Sequence, residues 1–575
     1  MNVLAQDNAN TPSVNGLIPS VLNLRYDYNQ QTSRILYRAS NLPTTYDLRL
    51  LNRVTSVKDQ DSDNTCWAFA STASAESSLL RGGMTDTNVV TASPRPTLNP
   101  GIFDFSENHM KQSVLPSVGD WGFSWQINEG GNREMATAYL ARAQGEVLEK
   151  NDPYEYGNNL RDNSINKSIP ADKYLEKALF FPEPSSSYYM RNVTYRDKIK
   201  QAVIDYGAIY TGIRNDSASY NYTTHSYYYS GIEDYGNHAV CIVGWDDSYP
   251  ASNFSTNPAV DGAFIVKNSW GSDFGDNGYF YVSYEDKIFG QQSTAFVMSP
   301  VKRSYKNVYQ YDPLGWVNYF GFGNTTWFAN VFTKKSSSES LTTVGFYATA
   351  VNTSYEIHYA GIAEGEDINS AVLTKLTSGT VPYPGYYAID IPSPPSINTD
   401  KFVVAIKANT PNYNYPVAYE YVYPGYSDNA IAEAGQSYVS PYGTLNSWRD
   451  FTTYEDNGNV CLKAFTTDNA EYRTVFKQQS LTTGQVDFRV YCDNKLATDQ
   501  SPKIVVASLL DNELIYSNVF NHTFPSNEKS YIDFSFFNTF NQGTDLWKIT
   551  TKIFVISSFE STFAPLMRYS EEMNK

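Results

Sequence analysis

The sequence predicts a multidomain chain: an α+β unit first, then two all-β regions. Three observations carry this. The chain has 575 residues, more than a single hydrophobic core accommodates. Helical segments come first, at 66–81, 131–145 and 196–207, and strand segments follow at 238–245, 262–268 and 278–284. That segregation suits α+β rather than alternating βαβ. Beyond about residue 300, helix signals nearly vanish and short strands recur between Pro-, Gly-, Asn- and Ser-rich turns.

Residues 1–41 are polar and irregular, with "GLIPSVLNL" as a short apolar patch. The unit at 42–299 contains the helices and strands just named, with Gly145 and Gly207 as C-cap candidates for the second and third helices. Region 300–466 reads as a β-sandwich through "ESLTTVGFYATA", "SYEIHYAGIA", "KFVVAIKA" and "NVCLKAF". A boundary near "TTDNAEYRT" separates it from a further all-β, Ig-like region at 467–575, with "QVDFRVYC", "PKIVVASLL", "SYIDFSFF" and "ITTKIFVIS".

The composition narrows the function. A net charge of −17 argues against nucleic acid, whose phosphates the surface would repel. Hydrophobic residues make up 41% and charged residues 18%, with 47 tyrosines, a balance that suits β-rich modules. Cys66, Cys241, Cys461 and Cys492 are widely spread, as are the five histidines, so neither a disulfide framework nor a metal site is expected, and no cofactor is implied. No apolar run reaches the roughly 18 residues that span a membrane. The start lacks a basic and apolar leader pattern; either the protein stays inside or a signal peptide precedes this numbering.

Chemistry converges on Cys66. An attacking thiolate needs its pKa lowered, by a helix N-terminus or a neighbouring imidazolium. Polar "DSDNT" precedes Cys66 and helix formers follow it, although an isolated cysteine beside Trp and Phe is more often a core residue. His238 opens the apolar strand "HAVCIVGW", as a base or as a satisfied core histidine. Asn268 ends "FIVKN", where its amide oxygen can orient an imidazole, and Trp270 can keep water from that pair. Gln60, six residues before the cysteine, can supply a side-chain oxyanion donor beside the helix N-terminus. Each is weak alone; together they provide nucleophile, base, orienter and oxyanion donor.

These residues lie in segments that resemble the papain-like cysteine peptidases. "YDLRLLNRVTSVKDQ" with "CWAFASTASAES" looks like the start of such a unit. "SENHM", "NEGGNREMATAYLARAQGEVLEKNDPYEYG", "NHAVCIVGWDD" and "FIVKNSWGSDFGDNGYFYVSY" follow in family order. The resemblance implies a helical subdomain beside a β-barrel-like one. It implies Cys66 as nucleophile, His238 as base and acid, Asn268 as orienter and Gln60 as oxyanion donor. Gly130, Gly131, Asn237 and Trp270 stand at substrate-contacting positions, Gly131 where backbone groups hold an extended peptide and a side chain would block its approach. Trp270 also stands where the family shields the His–Asn pair.

The departures are informative. Asp63 and Asn64 stand where the family carries a bridging Cys and a Gly, and Asn128 stands at the position of that cysteine's partner. The bridge is absent as a unit, and losing one typically costs about 2–5 kcal/mol, so other packing must replace it. Phe274 replaces a second Trp after "NSWG". Cys66 and His238 are farther apart than the family's roughly 130–150 residues, which implies insertions at 84–103, 158–190 and 214–235. The last, with its tyrosine run, either lines the cleft or forms a solvated hairpin.

"GLIPSVLNL" with "LPTTYDLR", and "YKNVYQYDPLGW" with "NVFTKKSSSESLTTVGFYA", resemble a prokaryotic branch whose catalytic unit precedes a lectin-like, jelly-roll domain, some members being found on cell surfaces. The expectation is a secreted or cell-surface cysteine endopeptidase acting on protein or peptide. Its β domains would face a cell-surface glycan or cell-wall component, although their tyrosines can equally decorate strands. The rivals are an adhesin with a degenerate peptidase unit and a transpeptidase using the same acyl-enzyme. Residues 1–41 lack the long amphipathic helices of typical family pro-segments and read as a pro-segment or as a permanent strap. Sequons such as Asn166, Asn192, Asn221, Asn324 and Asn352 occur at about the frequency chance gives in so Asn-, Ser- and Thr-rich a chain, and carry no inference.

Overall fold

The computed structural model describes residues 16–26, 42–80, 103–116, 122–124, 128–156, 169–299, 303, 305–335, 339–467, 471–480, 485–494, 501–510, 513–525, 528–537, 549–556 and 565–569. Most of the expected insertion at 84–103 and part of that at 158–190 lie outside these residues, as does Asn166.

Among the described residues, four α-helices organise the first half. Helix α1 (Cys66–Leu79) is buried almost all round. Its small residues permit this: Ala68 and Ala75 let neighbouring elements close in, and its serines return their hydroxyls to carbonyls, Ser74 to Ala208 at 2.7 Å and Ser77 to Arg53 at 2.6 Å. A buried polar residue costs little once so paired. Helix α2 (Glu107–Ser113) is capped by the Ser106 hydroxyl, which accepts from His109 N. Helix α3 (Arg133–Ala141) is capped by Asn132, and α4 (Val193–Tyr206) by Asn192. Gly207 ends α4 at φ +99°, as expected. Gly145 does not end α3. The chain leaves the helix four residues earlier, with Ala143 taking the left-handed conformation at φ +62°.

The strands of this half are β1 (Arg25–Tyr26), β2 (Thr45–Asp47), β3 (Leu175–Phe180), β4 (Glu183–Pro184), β5 (Ile209–Ile213), β6 (Tyr220–Asn221), β7 (Ser226–Tyr227), β8 (His238–Asp246), β9 (Ala263–Lys267), β10 (Tyr279–Ser283) and β11 (Gln291–Met298). Strand β3 precedes α4, so the order is less strictly helices-then-strands than the sequence suggests. Strand β8 is central, antiparallel to β5, β9 and β2, and buried on both faces from His238 to Trp245, which explains its continuous apolar run. The order continues through β5 and β11 to β3.

That sheet does not stop with the first unit. Strand β3 pairs with Gly385–Asp390, and the path continues through Ser340–Ala348 and Leu462–Thr467 to Asn307–Tyr309. Against it lies a six-stranded antiparallel sheet centred on Lys401–Asn409 and Thr325–Thr333. Alternate residues such as Phe328, Phe402, Val404 and Ile406 fill the space between. The described residues of the final region form one three-stranded and one four-stranded antiparallel sheet, with Phe488, Val490, Ile504, Val506 and Ile553 in the core. No helix among the described residues is long and apolar enough to cross a membrane.

Candidate active site

Cys66 is the first residue of α1, so the helix N-terminus lies at its own backbone. Its Sγ accepts from Ala239 N at 3.3 Å, which places the sulfur against the start of β8. His238, the residue before, is 2% exposed. Its Nε2 lies 2.8 Å from Asn268 Oδ1. An amide oxygen only accepts, so Nε2 carries the proton and Nδ1 is the basic nitrogen. Asn268 directly follows β9, and its N donates to Gly278 O at 3.0 Å. Trp270 stacks on the His238 ring with centroids 4.7 Å apart, and Phe274 meets Trp270 edge-on at 4.9 Å. Gln60 is held at both ends: Nε2 donates to Asp63 O at 2.5 Å, and Oε1 accepts from Ser269 Oγ at 2.6 Å. The four residues singled out in the sequence therefore converge, although 208 positions separate Gln60 from Asn268.

The loop before Cys66 is braced by polar bonds at the bridge positions. Asp63 Oδ1 accepts from Asn128 Nδ2 at 2.9 Å, joining the two sites at which the family carries cysteines. Asp63 Oδ2 accepts from Lys111 Nζ at 2.9 Å and from the Tyr154 hydroxyl at 3.2 Å. Asn64 Nδ2 reaches Asn128 O at 2.7 Å. Both members of the Lys111–Asp63 pair are 3% exposed. One turn earlier on α2, Glu107 takes Lys58 Nζ at 2.9 Å, and Lys58 also meets Glu76 of α1 at 3.0 Å. Sequence reasoning missed Lys111 and Tyr154. The available signal was the i, i+4 pairing of Glu107 and Lys111, which puts both on one helix face, here the face toward the 58–63 loop. All four cysteines are buried, and none forms a disulfide.

Chain covers the thiol. Gly16 passes so close to Cys66 that a Cβ there would sit 2.9 Å from Sγ and 2.8 Å from the Asn64 backbone, and Gly16 takes φ +101°. Gly131 N donates to Gly16 O at 2.9 Å, and Ile18 N donates to Gly131 O at 3.0 Å, a parallel bridge. Leu17 N donates to Asn237 O at 3.1 Å, and its side chain rests over Gly212 and Gly236. Gly131 lacks a side chain for a different reason from the one expected: a Cβ would strike the Trp67 ring at 2.4 Å, whereas it is Gly130 whose Cβ would meet the passing strand, at Gly16 O. The segment continues past Gln292, which donates to Ile18 O, and pairs as β1 with β4. Under this cover the Cys66 thiol is fully buried. Burial pushes its pKa up to about 12, against the opposing pull of the Ala239, Trp67 and Cys66 amides.

Two family descriptions match the chain: papain family cysteine protease over residues 42–95 and 122–298, and lectin like domain over 308–466. A viral cathepsin of Autographa californica nuclear polyhedrosis virus is 27% identical over 255 residues, 44% of this chain and 62% of that protein. Cathepsin S of Mus musculus is 26% identical over 261 residues, with the same shares. The chain thus spans under two thirds of these relatives' length. Among solved structures, the cysteine protease and lectin-like domains of Cwp84, a surface layer associated protein of Clostridium difficile, superpose with a TM-score of 0.62 at 27% identity, over 80% of this chain and 94% of that one. A structure of clostridial Cwp84 after propeptide cleavage gives 0.61 at 28%, over 74% and 99%.

Proposed function

The chain belongs to the papain family of cysteine proteases, with a lectin-like domain behind the catalytic unit, and from that premise we propose that it is a cysteine endopeptidase that its own N-terminal segment holds inactive. The observation that carries this reading is the His238 Nε2–Asn268 Oδ1 bond of 2.8 Å beside a Cys66 whose sulfur takes the Ala239 amide.

His238 Nδ1 takes the thiol proton, and the α1 N-terminus and the new imidazolium stabilise the thiolate. The sulfur attacks the scissile carbonyl carbon. Gln60 Nε2 and the Cys66 amide hold the resulting oxyanion. Collapse expels the amine, which takes the proton from His238 and leaves a thioester on Cys66. Water, deprotonated by His238, releases the carboxylate product and restores the thiol. Asn268 and Trp270 act through His238, one fixing its tautomer and the other covering its face. Gly131 and Asn237, which now bond the N-terminal segment, would hold a substrate backbone. Gly130, unable to carry a Cβ beside that strand, keeps the passage open.

Residues 1–41 are assigned as an inhibitory pro-segment, with 16–26 as the part lying in the cleft. We place the protein at or outside the cell surface, and assign a cell-surface glycan or cell-wall component to the lectin-like domain. The surface-layer association of Cwp84 supports the first of these, and the match to a lectin like domain motivates the second. The test of the enzyme is turnover of a protein substrate by the full chain after release of the first 41 residues. Cys66→Ala abolishes turnover while the fold persists; retained activity in that variant overturns the assignment.

A further inference from the structure

Beside His238 a cavity of about 250 Å³ opens, walled by Tyr220, Tyr222, Trp270, Phe274, Phe280 and His238 itself. The tyrosines come from the inserted segment at 214–235, which lines the cleft and is not merely a solvated hairpin. Tyr220 lies between Tyr222 and Phe274, with centroids at 4.9 and 5.4 Å. The hairpin is pinned: Ser226 Oγ and Asn221 Nδ2 donate to Asn253 O at 2.6 and 2.8 Å, and β7 runs parallel to β10. Its shape is therefore set before any ligand arrives, which lowers the ordering cost of binding.

Among the described residues, those that 17–26 touch, including Gly131, Gly212, Gly236, Asn237, Gln292 and Glu183, are not among those that wall the cavity, although Asn237 adjoins its wall at His238. The two arms meet at Cys66 and His238. In the proposed mechanism the acyl half stays on the sulfur and the leaving amine departs from His238. The residue bearing that amine therefore lies against His238 and Trp270, at the mouth of the cavity. The volume is below the roughly 300–1,000 Å³ of pockets for drug-sized ligands and suits one side chain. Aromatic walls favour an aromatic guest through offset and edge contacts, worth about 0.5–1.5 kcal/mol per pair beyond burial. Tyr222, 72% exposed, forms the outer lip.

We propose that this tyrosine hairpin builds a specificity pocket on the leaving-group side, selecting protein substrates with an aromatic residue directly after the cleaved bond. The proposal rests on the cysteine-peptidase reading, and its test separates the two. The full chain, after release of residues 1–41, is given internally quenched peptides that differ only in the residue after the scissile bond, and a peptidyl methyl ester that has no residue there. Phe and Tyr are expected to exceed Ala in kcat/KM by about tenfold, a typical discrimination for one apolar side chain. In Tyr222→Ala and Tyr220→Ala the ratio of Phe to Ala falls toward one. Ester hydrolysis without aromatic preference, or a ratio unmoved in both variants, overturns the pocket alone. Failure to hydrolyse the ester overturns the peptidase reading and the pocket with it.

Discussion

Asp63 is the residue on which the absent bridge turns. It replaces a covalent link with three hydrogen bonds, one to Asn128 and two to groups from other elements, Lys111 and Tyr154. The buried Lys111 charge makes this more than a loop contact. Removing one member of a buried ion pair leaves the other uncompensated, at about 3–5 kcal/mol, whereas replacing both by packed apolar groups can be nearly neutral. Lys111→Met is therefore expected to destabilise the chain by about 3–5 kcal/mol, and Asp63→Leu added to it to recover only part of the loss, because Asn128 and Tyr154 then lose their acceptor, as read from urea unfolding followed by tryptophan fluorescence. A loss under about 1 kcal/mol for Lys111→Met would show that the loop is held elsewhere. The Asn128 position was legible as the bridge partner of Asp63; the ion pair with Lys111 was not. The sequence marks the missing cysteine, but the partner that replaces it is 48 positions away, and only the three-dimensional path of α2 brings it there.

Among the elements, two meet head-on at the thiol: the N-terminus of α1 and the strand-like segment at 16–18. The helix favours a thiolate; the segment removes the water that a thiolate needs, and burial carries the pKa of Cys66 up to about 12. The sign follows: a covered thiol stays protonated through neutral pH, and uncovering it lowers its pKa. Gly16 is the weak point of the cover, because its φ of +101° and its distance from Cys66 exclude a side chain. Gly16→Ala introduces strain of about 1–2 kcal/mol, so alkylation of Cys66 in the unprocessed chain at pH 7.5 should accelerate by about tenfold. An unchanged rate would mean that the segment does not gate the thiol. The "GLIPSVLNL" patch was visible in the sequence as apolar residues in a polar stretch. Its place in the cleft was not, because strap and pro-segment have the same composition.

In the whole molecule, the catalytic and lectin-like parts share a sheet through β3, and a loop of the lectin-like part reaches the site's edge. The Tyr426 hydroxyl donates to Asn132, the cap of α3 next to Gly131, and Asn429 bonds Gly122. The sequence read these parts as successive modules because each strand announces itself locally, while pairing between strands some 200 residues apart leaves no periodic mark. The four candidate site residues were legible for the opposite reason: each sits in a contiguous motif whose residue types the chemistry dictates. The proposed activity depends on Cys66 being a nucleophile that His238 activates once the segment leaves. Its most direct test is the pH dependence of labelling by a peptidyl epoxide, read by mass spectrometry on the full chain before and after release of residues 1–41. Negligible labelling is expected before release. After release a single adduct on Cys66 is expected, with half-maximal rate below about pH 8.5, the value of a free thiol, and in His238→Ala a shift up to that value. Adducts on Cys241, Cys461 or Cys492 instead, or a profile indifferent to His238 or to the segment, would contradict it.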